Sequence, residues 1–368
     1  MHTHMAEPPG PSVVHLSWSN GTGGIERLVG DLVSQQHALG LKVGMAYGRV
    51  TDSGVIPELD PTIPVTDLGL RSGYDLDPRR LRAGAGALRE WDLVHLHAFN
   101  LPMGIVTSAS RLPVVFTDHG NAALGRTREL SDRGRFALQR RFLRARCVAT
   151  VANSQWTANR LMESRLAPKR LSVIHNGIDP RRARVPESRE TGPLTLAYVG
   201  RLAGFKRVDR LVRALSLRDG SSARAIIVGD GPVRGGLGAL AYELGCADRI
   251  EFLGFRPDVE AILSKVDVLV QPSQAEPFGL AVLEGCLAGA LPVVFADGGG
   301  VLEVLPPDAR VVADEKDLAS TIAELNQASD WRTAAAKRRR VAWAAEMFPI
   351  ARTAHAYQLL YLEVMTRP

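Results

Sequence analysis

The sequence has 368 residues, 45% hydrophobic and 23% charged, which excludes a peptide or a disordered chain and predicts two or three domains, each able to bury its own core. The net charge of +6 would suit an anionic ligand, but of the 45 basic residues only Lys42, Lys169, Lys206, Lys265, Lys316 and Lys337 are lysines. An arginine bias of this kind is what a GC-rich genome imposes, so basicity alone does not point to nucleic acid. Three cysteines (Cys147, Cys246, Cys286), none in a CxxC pair, give no disulfide framework and no zinc spacing, and fit a reducing cytoplasm. The longest uncharged apolar stretch, Gly285 to Ala296, is 12 residues and contains Pro292, too short for the ~20 residues of a membrane span. The leading MHTHMAEPPGPS lacks the apolar core of a secretory signal and reads as a disordered leader.

In chain order, the first predicted strand, Val13 to Ser17, leads into Ser19-Asn20-Gly21-Thr22-Gly23-Gly24-Ile25-Glu26-Arg27 and an apolar-periodic helix. Glycines there allow backbone amides to approach a phosphate at a helix N-terminus, and a plain tight turn is the alternative. Lys42 to Tyr47 is the next strand. Asp75-Leu76-Asp77 is a DxD sequence followed by Pro78, which reads as an N-cap with proline at the first helical position rather than as a metal motif. Leu93 to His97 is a strand that places His95 and His97 on one face near its carboxyl end, read as lining a cleft rather than holding a metal. Val114 to Thr117 follows, with Asp118, His119 and Gly120 at its carboxyl end.

The stretch carrying Arg126, Arg128, Arg133, Arg135, Arg140, Arg141, Arg144 and Arg146 is interleaved with Phe136, Phe142 and Leu143. It is read as a solvated face, with peripheral contact to anionic lipid as the alternative. Strands at Val148 to Ala152 and Leu171 to Ile174 precede a linker, Asp179 to Pro193, rich in proline and charge.

The pattern then repeats, with strands at Leu194 to Val199, Ala223 to Val228, Ile250 to Leu253, Val266 to Val270 and Pro292 to Phe295. Two runs of alternating strand and helix predict two doubly wound parallel-sheet domains facing across a cleft, with chemistry in the loops after the strands. Gly200-Arg201-Leu202-Ala203-Gly204-Phe205-Lys206-Arg207 fails as a Walker loop at Phe205 and Arg207 but can offer Arg201 and Lys206 to a diphosphate. Val228-Gly229-Asp230-Gly231-Pro232 fails as a dinucleotide fingerprint at Arg234. In Glu276-Pro277-Phe278-Gly279-Leu280-Ala281-Val282-Leu283-Glu284-Gly285, Pro277 and Phe278 predict a helix start with the amides of Gly279, Leu280 and Ala281 open to an anion. Glu276 and Glu284, eight residues apart, could then meet a nucleotide at either end.

Together these residues resemble the GT-B nucleotide-sugar glycosyltransferases, specifically family 4 of the retaining enzymes, over nearly the whole chain. The most specific match is the Glu-x7-Glu segment Glu276 to Glu284, followed by Gly-Arg-Leu at Gly200 to Leu202. The resemblance implies a retaining, metal-independent hexosyltransferase, front-face in mechanism, taking a nucleoside-diphosphate sugar, UDP-sugar favoured, and a small-molecule hydroxyl acceptor. It implies a bacterial, cytoplasmic protein, with no cofactor beyond the donor and no metal. Arg201 and Lys206 would hold the diphosphate, with Gly23 and Gly24 at the distal phosphate. Phe255 and Arg256 would lie at the base and Glu284 at the ribose, and Gly231 would belong to the donor site. Phe278, Gly279, Leu280 and Ala281 would line the donor site. His119 and Glu276 would join Arg201 and Lys206 as the catalytic set, His119 near the transferred sugar. Asp118 departs from the family, where a small or apolar residue is commoner. The implied domains are 1–182 for the acceptor, 190–346 for the donor, and a helix at 347–368 packing back on the first. A nucleotide-sugar 2-epimerase shares this architecture, and a catalytically decayed binding protein is the non-enzymatic alternative.

Overall fold

The computed structural model describes residues 10–21, 23–51, 59–120, 130–164, 170–184, 192–217 and 223–366. The chain divides into two units, one formed by residues up to Gly177 together with those from Ile350 onward, the other by Ile178–Pro349.

Among the described residues, unit 1 holds seven strands: β1 (Val13–Ser19), β2 (Val43–Arg49), β3 (Val65–Asp67), β4 (Leu93–Leu96), β5 (Val114–Asp118), β6 (Cys147–Ala152) and β7 (Leu171–Val173). They form one parallel sheet in the order β3-β2-β1-β4-β5-β6-β7. Its helices are α1 (Gly24–Ala38), α2 (Pro78–Ala87), α3 (Leu101–Ser110), α4 (Leu130–Arg146) and α5 (Gln155–Glu163). Because helices cover such sheets, central strands such as β1, β4 and β5 read as near-continuous apolar runs.

Unit 2 repeats the plan with β8 (Thr195–Val199), β9 (Arg224–Val228), β10 (Ile250–Gly254), β11 (Val268–Gln271), β12 (Leu291–Phe295) and β13 (Arg310–Val312), parallel in the order β10-β9-β8-β11-β12-β13. Its helices are α6 (Asp209–Ser216), α7 (Arg234–Glu243), α8 (Val259–Leu263), α9 (Leu280–Leu287), α10 (Glu315–Gln327) and α11 (Ala334–Met347). On α6 the apolar positions Leu211, Val212, Ala214 and Leu215 are buried while Arg210 and Arg213 lie on the other face, the one-sided pattern of a helix laid on a sheet. The final helix, α12 (Ile350–Thr366), belongs to unit 1 and packs along α1.

Two strands, β3 and β13, went unread in the sequence because each is three residues long with mostly exposed side chains. The run from Val266 is counted as strand from Val268, although the backbone of buried Asp267 already bonds Thr195 O of β8 and Leu291 N of β12, each at 2.9 Å. The Asp267 Oδ2 accepts from the backbone N–H of Thr195 at 3.0 Å and from Arg332 at 2.8 Å. Arg340, also buried, has an acceptor for each of its three side-chain nitrogens, Gly289 O, Asp308 and Trp331 O, which is how a charge is tolerated in a core.

In both sheets the order reverses beside the first strand, β1 lying between β2 and β4, and β8 between β9 and β11. Loops leaving the carboxyl ends on either side of such a point diverge and open a crevice. The predicted site residues lie in those loops or near them.

Candidate functional site

In unit 2, the loop after β8 carries Gly200, Arg201 and a single 3-10 turn, Gly204–Lys206. The loop after β11 carries Glu276. The two meet: Lys206 Nζ lies 2.6 Å from Glu276 Oε2, an ion pair whose side chains are only 17% and 11% exposed. Backbone bonds fix this meeting, because Gln274 N donates to Phe205 O at 3.2 Å, while Ala275 N and Glu276 N donate to Asp297 O and Gly298 O at 3.0 and 2.6 Å. Ala275 is held at φ 63, a left-handed conformation that costs a residue with a Cβ about 1–2 kcal/mol and is found where surrounding structure enforces it. The loop after β12 is pinned in turn by the two-pronged Arg210–Asp297 pair at 2.7 Å on each arm, and Arg210 lowers the carboxyl pKa of Asp297. The Arg201 guanidinium is exposed and has no partner among the described residues, while its carbonyl accepts from Tyr198 Oη at 3.0 Å.

The loop after β9 has a packing role. Gly229, at φ 131, has no room for a side chain, since a Cβ there would land on the Gly200 carbonyl oxygen, and one on Gly231 would land on that of Leu202. Leu202 N donates to Asp230 O at 2.9 Å, so this glycine loop braces the Arg201 loop from behind. Phe255 is exposed, and Arg256 is tied to Asp258 at 2.7 and 2.8 Å.

The helix expected from Pro277 starts later. α9 begins at Leu280, with Gly279 as its N-cap at φ 98; Phe278 is buried against Phe348 instead of entering the first turn. The left-handed N-cap glycine makes the sharp turn that proline alone could not. Leu280 and Ala281 form the first turn, and Glu284 is half-buried about one turn further on.

In unit 1, Gly23 is the N-cap of α1 and Gly24 its first residue, and the Glu26 carboxylate folds back over Gly23. Asp77 caps α2, its carboxylate accepting from Arg79 N at 2.9 Å with Pro78 following. His95 and His97, expected to line an acceptor cleft, are buried. They join a larger cluster with His15 on β1, which pairs in register with His95, and with His119 just beyond β5. His15 Nδ1 lies 3.0 Å from His97 Nε2, His97 Nδ1 lies 3.1 Å from His119 Nε2, and His15 Nε2 lies 2.7 Å from Gln36 Oε1 on α1. His95 bridges Tyr361 Oη on α12 at 2.6 Å and Thr117 Oγ1 at 2.7 Å. Desolvation pulls His15 and His119 down to about 4, and His95 and His97 well below their ordinary value. The mirrored patterns Val-Val-His-Leu and Leu-Val-His-Leu were the sequence signal for this cluster. Each puts a histidine in the middle of an apolar central strand.

Of the arginine-rich stretch, Arg126 and Arg128 lie outside the described residues, as do the side chains of Arg133, Arg135 and Phe136. Phe142 faces inward, packed on Phe99 at 4.9 Å, with Leu143 also buried. No described helix is long and apolar enough to cross a membrane.

Comparison with known proteins gives the class. Residues 180–342 match the family described as Glycosyl transferases group 1, and residues 22–182 match Glycosyltransferase Family 4. The chain is 30% identical over 302 residues to a D-inositol 3-phosphate glycosyltransferase of Mycobacteroides abscessus, covering 72% of this chain and 67% of that one. It is 28% identical over 228 residues to a 2-deoxystreptamine glucosyltransferase of Streptomyces kanamyceticus, covering 53% and 58%. The match spans less than two thirds of that relative's length, and 38% of the length of an uncharacterized glycosyltransferase of Methanocaldococcus jannaschii. Among solved structures, Anabaena HepE in complex with UDP and glucose superimposes with a TM-score of 0.79 at 20% identity, covering 95% of this chain and 99% of the other. A sucrose-phosphate synthase of Thermosynechococcus elongatus does so with 0.79 at 19% identity, covering 96% and 99%. Two Rossmann-like parallel-sheet units of this kind are the GT-B fold. The chain belongs to the group 1 family of glycosyl transferases.

Proposed function

We propose that the protein is a retaining glycosyltransferase that moves a sugar from a nucleoside-diphosphate sugar, UDP-sugar favoured, to a hydroxyl acceptor without a metal. The observation that carries this reading is the Lys206–Glu276 pair at the carboxyl ends of β8 and β11, with the exposed Arg201, which has no side-chain partner among the described residues, in the same loop as Lys206. A diphosphate placed there takes Lys206 and Arg201, and Glu276 is left to accept from hydroxyls of the sugar. Glu284 takes the ribose, and Phe255 and Arg256 flank the base. Gly231 shapes the diphosphate loop from behind, while Gly23 and Gly24 meet the distal phosphate. His119 is assigned to a hydroxyl of the transferred sugar. These assignments are what the resemblance of the motifs implies, and the UDP-containing complexes of HepE support a uridine donor.

The hard step is breaking the bond between the anomeric carbon and the diphosphate oxygen. Negative charge grows on the leaving phosphate, and Arg201, Lys206 and the first-turn amides of α9, Leu280 and Ala281, stabilise it. Each preorganised donor of this kind contributes about 3–4 kcal/mol in comparable oxyanion sites. The acceptor oxygen attacks from the face the phosphate leaves, and its proton passes to the departing phosphate oxygen, so configuration is retained and no covalent enzyme intermediate forms. A bacterial, cytoplasmic setting goes with this reading.

Screening UDP-, GDP- and dTDP-sugars by thermal shift and then by hydrolysis identifies the donor. Turnover in EDTA within about twofold of that in Mg²⁺ is expected, because two side-chain cations already serve the leaving group. Activity that vanishes with chelator and returns only with metal, or a product of inverted configuration, overturns the mechanism. Conversion of the donor to its 2-epimer without acceptor overturns the reaction class. Glu284→Ala should weaken UMP and UDP alike, by about tenfold, the value of one hydrogen bond to a charged group.

A further inference from the structure

His119 has one ring nitrogen engaged and one bare. Its Nε2 is 3.1 Å from His97 Nδ1, whereas its Nδ1 is buried with no hydrogen-bond partner among the described residues. Buried polar atoms are almost always partnered, so a bare one beside a glycine turn calls for a partner from outside the described residues, a water or a ligand atom. Whether that atom must give or take a proton depends on the tautomer, and the tautomer depends on what lies behind.

The line behind His119 can be followed to its end. Tyr361 Oη is 2.6 Å from His95 Nδ1. A phenol, ordinarily titrating near 10, gives its proton to a basic imidazole nitrogen far more readily than an imidazole N–H gives one to a phenol oxygen. Tyr361 therefore donates to His95, and its remaining lone pair accepts from Gln36 Nε2 at 3.5 Å. That turns Gln36 Oε1 toward His15 Nε2, 2.7 Å away. An amide oxygen only accepts, so His15 carries its proton on Nε2 and accepts on Nδ1 from His97 Nε2–H at 3.0 Å. His97, with its single proton placed there, accepts on Nδ1 from His119 Nε2–H. The rings follow one another closely, His15 and His97 stacked at 5.3 Å and His97 and His119 at 5.4 Å.

We propose that Gln36, His15 and His97 are positioning residues that hold His119 in one tautomer, its proton on Nε2 and its bare Nδ1 presented as an acceptor for a hydroxyl of the transferred sugar. The ligand half of this rests on the function proposed above; the tautomer half does not. Burial keeps all four rings neutral near pH 7, as the scheme requires. The line is a lock rather than a proton wire, because it ends on an amide that neither takes up nor releases a proton. His15, His95 and His97 also offer ligand atoms within 4.8 Å of one another, but all six of their ring nitrogens already have partners.

The test begins with the full chain labelled with ¹⁵N-histidine. Long-range ¹H–¹⁵N correlation at pH 7 is expected to show His15, His97 and His119 all as Nε2–H tautomers. Any of the three found as Nδ1–H, or a shift of His15, His95 and His97 together on adding one equivalent of Zn²⁺, overturns the proposal. The second arm uses His97→Gln, whose amide can still accept from His119 and donate to His15, against His97→Leu, which can do neither. Turnover of the UDP-sugar should fall about tenfold or more in His97→Leu and stay within about threefold in His97→Gln, with the Kd for UDP unmoved in both. Equal losses in the two overturn it. If His97→Leu does not fold, Gln36→Leu is examined spectroscopically: His119 should convert to Nδ1–H, and an unchanged tautomer overturns the lock. A wild-type protein that turns over no sugar nucleotide refutes the proposed function, while the tautomer pattern still decides the lock.

Discussion

Glu276→Gln is expected to tighten UDP binding about five- to tenfold while lowering sugar transfer by about a hundredfold or more. The opposite signs follow from the two engagements of one carboxylate. Without ligand, Glu276 neutralises Lys206 across 2.6 Å, so a diphosphate must displace it before gaining the full attraction of the lysine. An amide in its place removes both the competition and the like-charge repulsion, an effect of about 1 kcal/mol at this degree of exposure. The same amide is a poor acceptor for sugar hydroxyls whose hydrogen bonds strengthen as the anomeric carbon becomes cationic, and such interactions appear in turnover rather than in nucleotide affinity. Lys206→Ala should do the reverse to binding, weakening UDP by about ten- to a hundredfold but uridine hardly at all. It also leaves Glu276 largely buried without its counter-ion, so the melting temperature should drop as well. Isothermal titration with uridine, UMP and UDP, set beside initial rates, separates these effects. A Glu276→Gln protein that binds UDP more weakly than wild type refutes the competition.

The second large effect is acid lability centred on unit 1. Histidines held near pKa 4 when folded, as His15 and His119 are, take up protons at about 6.5 once unfolded. Between those values the unfolded chain binds more protons, so stability is complete above pH 6.5 and is lost as pH falls toward 4. Each such ring costs about 2 kcal/mol on going from pH 7 to 5, and His95 and His97 act in the same direction. Two rings alone should lower the melting temperature by roughly 10 °C. The carboxylates held below their usual range, such as Asp297 and Asp179, lose their contribution only nearer pH 4, so the window from 6.5 to 5 belongs to the histidines. Thermal melts across that window, with hydrogen exchange to locate the opening in β1, β4 and β5, test it. A flat profile from pH 7 to 5 would show that the rings are solvated.

Fold class, both sheets and most strand positions were legible because buried parallel strands leave β-branched runs separated by helical periodicity. What escaped the sequence was long-range. Lys206 and Glu276 could each be assigned to a ligand, but their meeting depends on loops after three strands being laced together by main-chain bonds, which leave no side-chain signature in the sequence. The start of α9 was placed too early because Pro277 is a good first residue of a helix, and only the left-handed Gly279 shows where the turn falls. His95 and His97 were visible as a same-face pair, yet reading them as a pair alone missed His15, 80 positions before His95, which becomes their neighbour through strand register. Tyr357 and Tyr361, which satisfy Thr117 and His95, sit on a helix separated from those strands by the whole of unit 2.

That last separation bears on the order of folding during synthesis. Unit 2 is continuous in sequence, Ile178–Pro349, and can complete its sheet as soon as it leaves the ribosome. Unit 1 cannot, because His95 on β4 and Gln36 on α1 stay without their tyrosine partner until α12 emerges behind unit 2. The half of the molecule translated first is therefore the half that matures last, and in the interval the His95 ring and the Thr117 hydroxyl lack the tyrosines that satisfy them.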